Sequence, residues 1–468
     1  LISFVFLTTD ILLFLLIAAL VAYVIYASRH EHLVRPWKQV LCNPLATGAA
    51  VMLSFYFLIA ILDSIHFHPT IESPVSKDVQ YSVRVSSVLD LVLGSIIAGT
   101  EKTYSAPFSV YAFSKETLVD EGGNMIREYP RLRHAGSHLL DPSSRLNDIL
   151  TRGAVGIGKG LLSWIFLSAI IIVLMARTQK LAIRLIVSKI SWGQFSLPWR
   201  TFFLSLGVIC VLVALCLHLC PYYHVLGTDQ VGNDTLYQAL KSARTGLLIG
   251  TLTTLVMLPF AVIFGVSAGY FGGWIDDFIQ YIYTTLSSIP SVLLIAASAL
   301  MLEVYLSNNA DTFVSVTARA DLRLLCLCLI LGVTTWTGLC RYLRAETLKL
   351  RESSYIDASR AFGVAPWTTI WKHVIPNVMH IVTISIVLDF SGLVLAEAAL
   401  SYLNIGVDPS MESWGNMING ARLELAREPV VWWSLFAAFI FMFVLVLSAN
   451  VFADAVRDAF DPRIRELN

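Results

Sequence analysis

Residues 153–160, Gly153-Ala154-Val155-Gly156-Ile157-Gly158-Lys159-Gly160, satisfy the GxxxxGK spacing with which a glycine-rich loop cradles phosphates. That chemistry also requires a Ser or Thr after the lysine to hold magnesium, and a strand before the loop. Gly160 stands at the hydroxyl position, no strand pattern precedes the run, and the run opens an apolar stretch long enough to enter a membrane. Nucleotide binding is not expected here. His134 and His138, with Asp141 nearby, have the i, i+4 spacing of a metal pair on a helix. Two histidines fall short of the three or four ligands a site requires, and His66 and His68 fall short in the same way. Solvated surface histidines are the expectation. The seven cysteines (42, 210, 216, 220, 326, 328, 340) lie within or beside apolar runs without CxxC pairs, and read as small buried hydrophobes. No HExxH and no Gly-x-Ser-x-Gly is present. No catalytic, cofactor-binding or metal-binding residue is expected.

Two other groups of residues stand out. Asp389 lies in the middle of an apolar run, where a charge costs ~2.5–3.5 kcal/mol and normally faces a bundle interior or cavity. It either pairs with a neighbouring helix or lines a solute path. The second group is the polar loop 353–376. Ser354 followed by Asp357 is a helix-start signal, with the carboxylate near the positive helix end. Gly363 suits the left-handed position that ends that helix. Pro366 fits the first turn of a second helix, 366–375, which Pro376 is expected to close. On that helix Trp367, Ile370, Trp371 and Val374 share one face by i, i+3, i+4, i+7 spacing. An apolar aromatic face on a polar loop must be covered. Either it packs on the chain's own membrane helices or it docks into a partner's groove.

The elements that position these groups are apolar helices. Of 468 residues, 56% are hydrophobic and 14% charged, against about a quarter charged in soluble domains. Lys plus Arg equals Asp plus Glu at 33 each, so no basic excess points to nucleic acid. Nine stretches approach the ~20 apolar residues a bilayer crossing needs. They are approximately 6–27, 45–65, 159–176, 201–220, 246–270, 279–302, 323–340, 377–398 and 431–453. The first lacks the basic start and small-residue cleavage site of a signal peptide, and is read as a span. Arg29, Arg35 and Lys38, the basic residues of 177–200 and 341–376, and Arg457, Arg463 and Arg465 all fall on one side if the N-terminus is outside and the C-terminus cytoplasmic. Segment 66–158 then lies outside as a small domain. Its aromatics and the apolar run Val88 to Ala98 are too many for a disordered linker, and it is expected to lean on the outer loops 221–245 and 403–430.

Asp357-Ala358-Ser359, then Gly363, then His373-Val374-Ile375-Pro376 resembles the glutamate-alanine-alanine loop of binding-protein-dependent ABC importer permeases. Asp357 stands for the usual glutamate and Ser359 for the second alanine. The likeness extends over about 200–468, to the dipeptide, oligopeptide and nickel permease group. Its outer motif is matched by Gly227-Thr228-Asp229, Gly232 and Asp234, with Asn233 in place of the usual arginine. Gly272-Gly273, Asp276, Ser288-Ile289-Pro290, Glu397 and Ser413-Trp414-Gly415 follow in the family's order, as in the second permease of such pairs.

With the nine apolar stretches, an all-α integral membrane fold of about nine transmembrane helices is expected, and the resemblance implies that six of them (201–468) form a type I importer core; residues 1–200 have no counterpart in the family core. Two extra spans (1–65), a small exoplasmic domain (66–158) and a further span with a basic linker (159–200) would precede it. The resemblance also implies a transport subunit in the bacterial inner membrane, not an enzyme. Its partners would be a homologous second permease, a periplasmic solute-binding protein and two cytoplasmic ATP-binding subunits that carry ATP and magnesium. Asp357, Ala358, Gly363, Pro366, Trp367, Trp371, His373 and Pro376 would form the ATPase-coupling surface, and Asp389 and Glu397 would be candidates for the translocation path. Di- or oligopeptides are the expected cargo, with nickel or another small solute as alternative. An ion-coupled secondary transporter is the rival of a different class.

Overall fold

The computed structural model describes residues 3–71, 80–82, 85–119, 125–309 and 315–460. The first part runs β1 (Ser3–Val5), α1 (Thr8–Ser28), α2 (Glu31–Cys42), α3 (Pro44–Asp63), β2 (His66–His68), β3 (Thr70–Ile71), β4 (Gln80–Tyr81) and β5 (Ser86–Ser87). Then come α4 (Val88–Val92), α5 (Gly94–Ile97), β6 (Glu116–Val119), β7 (Met125–Glu128), α6 (Arg145–Gln179), α7 (Ile183–Ser191) and α8 (Trp199–Leu219). The second half is helical: α9 (Thr235–Phe271), α10 (Gly273–Ser288), α11 (Ser291–Asn308), α12 (Val316–Arg351), α13 (Ser354–Ala361), α14 (Pro366–Thr369), α15 (Ile375–Tyr402), α16 (Trp414–Glu424) and α17 (Trp433–Phe460). The strands form small antiparallel sheets, β1-β2-β5, β3-β4 and β6-β7.

Among the described residues, nine helical segments are long and apolar enough to cross a bilayer: α1, α3, Pro142–Gln179, α8, α9, α11, α12, Pro366–Tyr402 and α17. Two expected boundaries move. The stretch 279–302 is not one span. The chain leaves the helical region at Ile289 (ψ +129), as the residue before a proline tends to, so α10 stops at Ser288 and α11 starts at Ser291 as the crossing helix. The third span begins far ahead of 159. α6 starts at Arg145, and polar residues with Asp148 in its first turn extend the helix beyond the apolar core on which the expectation rested.

The chain divides into two compact units. One comprises Leu1–Val5, Lys38–Thr245 and Glu412–Phe452. In it α6 and α8 pack along each other through glycines. A Cβ at Gly160 would stand 2.6 Å from the Val211 Cα, and one at Gly156 3.2 Å from the Leu215 Cα. The glycine-rich run 153–160 is thus a close-approach face of a membrane helix. It lies inside α6 and does not open it, and Lys159 Nζ lies 3.2 Å from His218 Nδ1. A charged cluster joins α3, α4 and α9. Lys241 Nζ donates to Asp90 Oδ1 at 2.8 Å and lies 3.6 Å from Asp63 Oδ1, while the Tyr237 hydroxyl donates to Asp90 at 2.9 Å. Loss of water around the half-buried Glu412, opposed by Lys241 and reinforced by Asp229, Asp63 and Asp90, pushes its carboxyl up to about 7.

The other unit comprises Phe6–Trp37, Gly246–Met411 and Ala453–Asn468. One core cluster gathers Leu248, Ile249 and Leu252 of α9, Leu324, Leu327, Cys328 and Leu331 of α12, and Leu13 of α1. α1 is pinned to α12 by the buried Asp321. Its carboxylate accepts from Thr8 Oγ1 at 2.6 Å, from the Thr9 N–H at 3.2 Å and from Thr9 Oγ1. A second cluster joins α9, α10, α12 and the start of α15 beneath the 353–376 loop.

Candidate functional site

The loop 353–376 is built from its buried side outward. Ser353 precedes α13, which ends at Ala361 with Phe362 as its C-cap, and Gly363 follows with φ +71, a conformation side chains resist. Pro366 then opens α14. Ser359 Oγ and Thr369 Oγ1 lie 2.9 Å apart and tie α13 to α14, so the serine at the family's alanine position has a partner. Ile356, Ile370, Val374 and Val378 are buried at 4% exposure or less and fill the space against Cys340 and Leu343 of α12. All eight residues of the expected coupling surface, Asp357, Ala358, Gly363, Pro366, Trp367, Trp371, His373 and Pro376, are exposed.

One expectation about this loop needs correction. Pro376 does not close a helix. Residues Ile370–Val374 widen into a π turn, and the helix continues as α15 with Pro376 in its first turn. A proline has no N–H to donate to an earlier carbonyl, and the wide turn absorbs that missing bond. The apolar stripe divides between the two alternatives given for covering it. Ile370 and Val374 enter the core, whereas Trp367 and Trp371 are 63% and 68% exposed. The core boundary runs down the middle of the stripe. Phe362 stands out further, at 86%. At the loop's base Arg344 Nη2 donates to Asp276 Oδ2 at 2.7 Å, and this pairing holds the Asp276 carboxyl below its usual range.

Within α15, Asp389 is half-buried, and among the described residues no hydrogen bond or ion pair reaches it. Glu397 is fully buried, and its Oε1 accepts from Ser401 Oγ at 2.8 Å.

The outer motif sits in the other unit and is closed. Thr228 Oγ1 accepts from the Ser105 N–H at 2.6 Å, the Thr228 N–H donates to the Ser105 carbonyl at 3.1 Å, and the Glu101 N–H donates to the Gly232 carbonyl at 3.0 Å. Gly232 has φ +87, and a Cβ there would stand 1.9 Å from the Glu101 carbonyl oxygen. Gly227 is similarly pressed between the Ser105 carbonyl and Trp433. Asp229 accepts from the N–H groups of Val231 and Asn233 and fixes the turn. Asp234 accepts from the Leu236 N–H at 2.9 Å, capping α9, while its other oxygen lies 2.8 Å from His224 Nδ1.

Segment 66–158 therefore leans on 221–245 through backbone as well as side chains. It also reaches the start of α17, where Phe113 and Tyr104 pack edge-on against Trp433 at 4.9 and 6.5 Å between centroids. Sequence reasoning missed Glu101, His224 and Trp433. The Glu101 carboxylate accepts three N–H groups, from Arg133, His134 and Ala135, and lies 3.7 Å from His224 Nε2 as an ion pair. Burial opposes its charge, but these partners win and bring Glu101 to about 2. Burial likewise opposes the charge on His224, and Asp234 and Glu101 overcome it and raise the imidazole to about 9. His134 and His138 lie in turns, not on a helix, because Gly136 between them takes φ +66. His138 Nε2 lies 2.8 Å from Asp148 Oδ2, and Asp141 caps the turn before α6.

Comparison with known proteins gives the same signature. The family described as binding-protein-dependent transport system inner membrane component matches residues 261–466. The chain is 33% identical over 244 residues to the oligopeptide transport system permease protein OppC of Mycobacterium tuberculosis, covering 52% of this chain and 77% of that one. It is 30% identical over 243 residues to the dipeptide transport system permease protein DppC of Lactococcus lactis, covering 52% of this chain and 65% of that one. It is 28% identical over 242 residues to the glutathione transport system permease protein GsiD of Pectobacterium atrosepticum, covering 52% and 73%. With its multi-pass helical architecture and its ordered motifs, the chain belongs to the family of binding-protein-dependent transport system inner membrane components.

Proposed function

We propose that this chain is a permease subunit of an ATP-driven, binding-protein-dependent importer of di- or oligopeptides in the bacterial inner membrane. The observation that carries the reading is the 353–376 loop, where eight motif residues lie exposed over a filled aliphatic core. Such a surface, with two indoles and Phe362 outward, is suited to a groove on another protein. ATP and magnesium belong to two cytoplasmic ATPase subunits. Closure of the ATPase pair would draw this loop and that of a homologous second permease together, and the helices would rock outward. The chain supplies a path and a lever and performs no chemistry of its own.

The distribution of basic loops supports a cytoplasmic C-terminus and an exterior position for segment 66–158, on the side that would meet the solute-binding protein. Peptides are favoured as cargo by the names of the relatives, and Asp389 offers a carboxylate to a passing ammonium group. Cysteine at Ala361 or Ala365 should cross-link to a co-expressed ATPase subunit. A complex that transports yet gives no cross-link from any loop position refutes the coupling role. Labelled dipeptide should accumulate in an ATP-dependent manner. Uptake of nickel alone corrects the cargo, and uptake driven by an ion gradient without ATPases overturns the class.

A further inference from the structure

The connector between α6 and α8 has a chemistry that transport does not use. From Arg177 to Arg200 it carries Arg177, Lys180, Arg184, Lys189 and Arg200 and no acidic residue. Arg177, Lys180, Arg184 and Arg200 are exposed and Lys189 is half-buried, and among the described residues none of the five makes an ion pair. Arg200 is occupied only by the Ile190 carbonyl, at 3.2 Å. α6 and α8 are both membrane-crossing helices packed along each other, so the connector emerges at a membrane face.

It is also folded. Ile186 of α7 is fully buried against Met175 and Ala176, with Leu181, Ile190, Phe195 and Trp199 packed around it. At 100° per residue, Leu185 and Trp192 point away from that buried side. They are 53% and 76% exposed, and Arg184 and Lys189 flank them. A short helix with one anchored face, and an opposite face of an indole and a leucine between cations, matches the bilayer interface. The ring sits at headgroup level, the cations meet phosphates, and long aliphatic stems cover apolar surface.

We propose that the 177–200 connector, through Arg184, Leu185, Lys189 and Trp192 of the α7 region with Arg177 and Lys180, binds anionic phospholipid headgroups at the face where α6 and α8 emerge. The argument rests on charge complementarity, an unbalanced cationic segment held beside a surface that carries negative lipid, and it is independent of the cargo. The contact anchors the portion of the chain that precedes the motif-bearing core.

The test uses the full chain in vesicles of phosphatidylcholine and phosphatidylglycerol, with bromine on the acyl chains of one lipid or the other. The signal of Trp192 is the difference between the wild type and Trp192→Phe, a substitution at an exposed ring. Brominated phosphatidylglycerol should quench it several-fold more than brominated phosphatidylcholine. Arg184→Gln and Lys189→Gln should each lower that preference by up to about fivefold. High salt should lower it as well. Equal quenching by the two lipids, or none by either, overturns the proposal without recourse to the charge variants. Quenching that disappears when the ATPase subunits are added assigns the surface to a protein partner and overturns it too.

Discussion

The outer motif and the 353–376 loop are both glycine-turned family motifs next to long helices, yet they end in opposite states. At the outer motif every glycine is walled in. Gly232 meets the Glu101 carbonyl, Gly227 meets Ser105 and Trp433, and the charges of Glu101, His224 and Asp234 are matched inside the protein. At the loop, nothing lies within 4 Å of a Cβ built on Gly363, and the large aromatic side chains face outward. A motif covered by its own chain is a finished interface. One that keeps its backbone strain and leaves its indoles exposed is the surface proposed above for a partner.

The comparison can be broken at five points, in decreasing order of effect. Gly232→Val places a branched side chain where a carbonyl oxygen already stands, at φ +87, and should abolish the folded outer assembly, read as loss of a cooperative melt in detergent. Trp433→Ala removes a ring at 1% exposure whose Nε1–H donates to the Thr228 carbonyl at 2.9 Å, and should cost ~3–5 kcal/mol by thermal unfolding. Gly363→Val has open space but the same backbone problem. It should cost only ~1–2 kcal/mol while ATP-dependent uptake is lost, and a large fall in melting temperature would show that the loop is as closed as the outer motif.

The fourth test is pH. Glu101 falls on folding from its ordinary 4.5 to about 2, so its contribution is present above 4.5 and disappears as pH drops towards 2. His224 rises from 6.5 to about 9, so its contribution is complete below 6.5 and is lost as pH climbs through 9. The melting temperature should therefore be highest between these limits, and His224→Gln should flatten the alkaline side. The smallest stability effect is expected at Trp371→Ala, within ~0.5 kcal/mol, since its ring is 68% exposed. Uptake should fall nonetheless, and unchanged uptake would remove this indole from the coupling surface.

What could be read from the sequence was local. The count of nine crossing segments follows from runs of apolar residues, and the turn at Gly363 from a residue type that few positions require. The π turn at Ile370–Val374 was not legible, because hydrophobic spacing does not report whether a helix is wide or regular. Spacing likewise grouped Trp367 with Ile370 but could not tell which half of the stripe meets the core. Glu101 and His224 lie far apart in the chain, and only the fold brings the carboxylate to the imidazole. One signal was available: His224 stands just ahead of Gly227 of the family motif in an otherwise apolar stretch.

The clasp of Thr8 and Thr9 on Asp321 spans 313 positions of sequence, which makes it a matter of timing as well as structure. α1 enters the bilayer long before the ribosome has made α12. When α12 follows, it brings a carboxylate to which three donors on α1 are already placed to hydrogen-bond. The first helix is in this sense a receptor held in waiting during biosynthesis. The order of insertion, and the retention of α1 beside the later helices, becomes part of what the chain encodes.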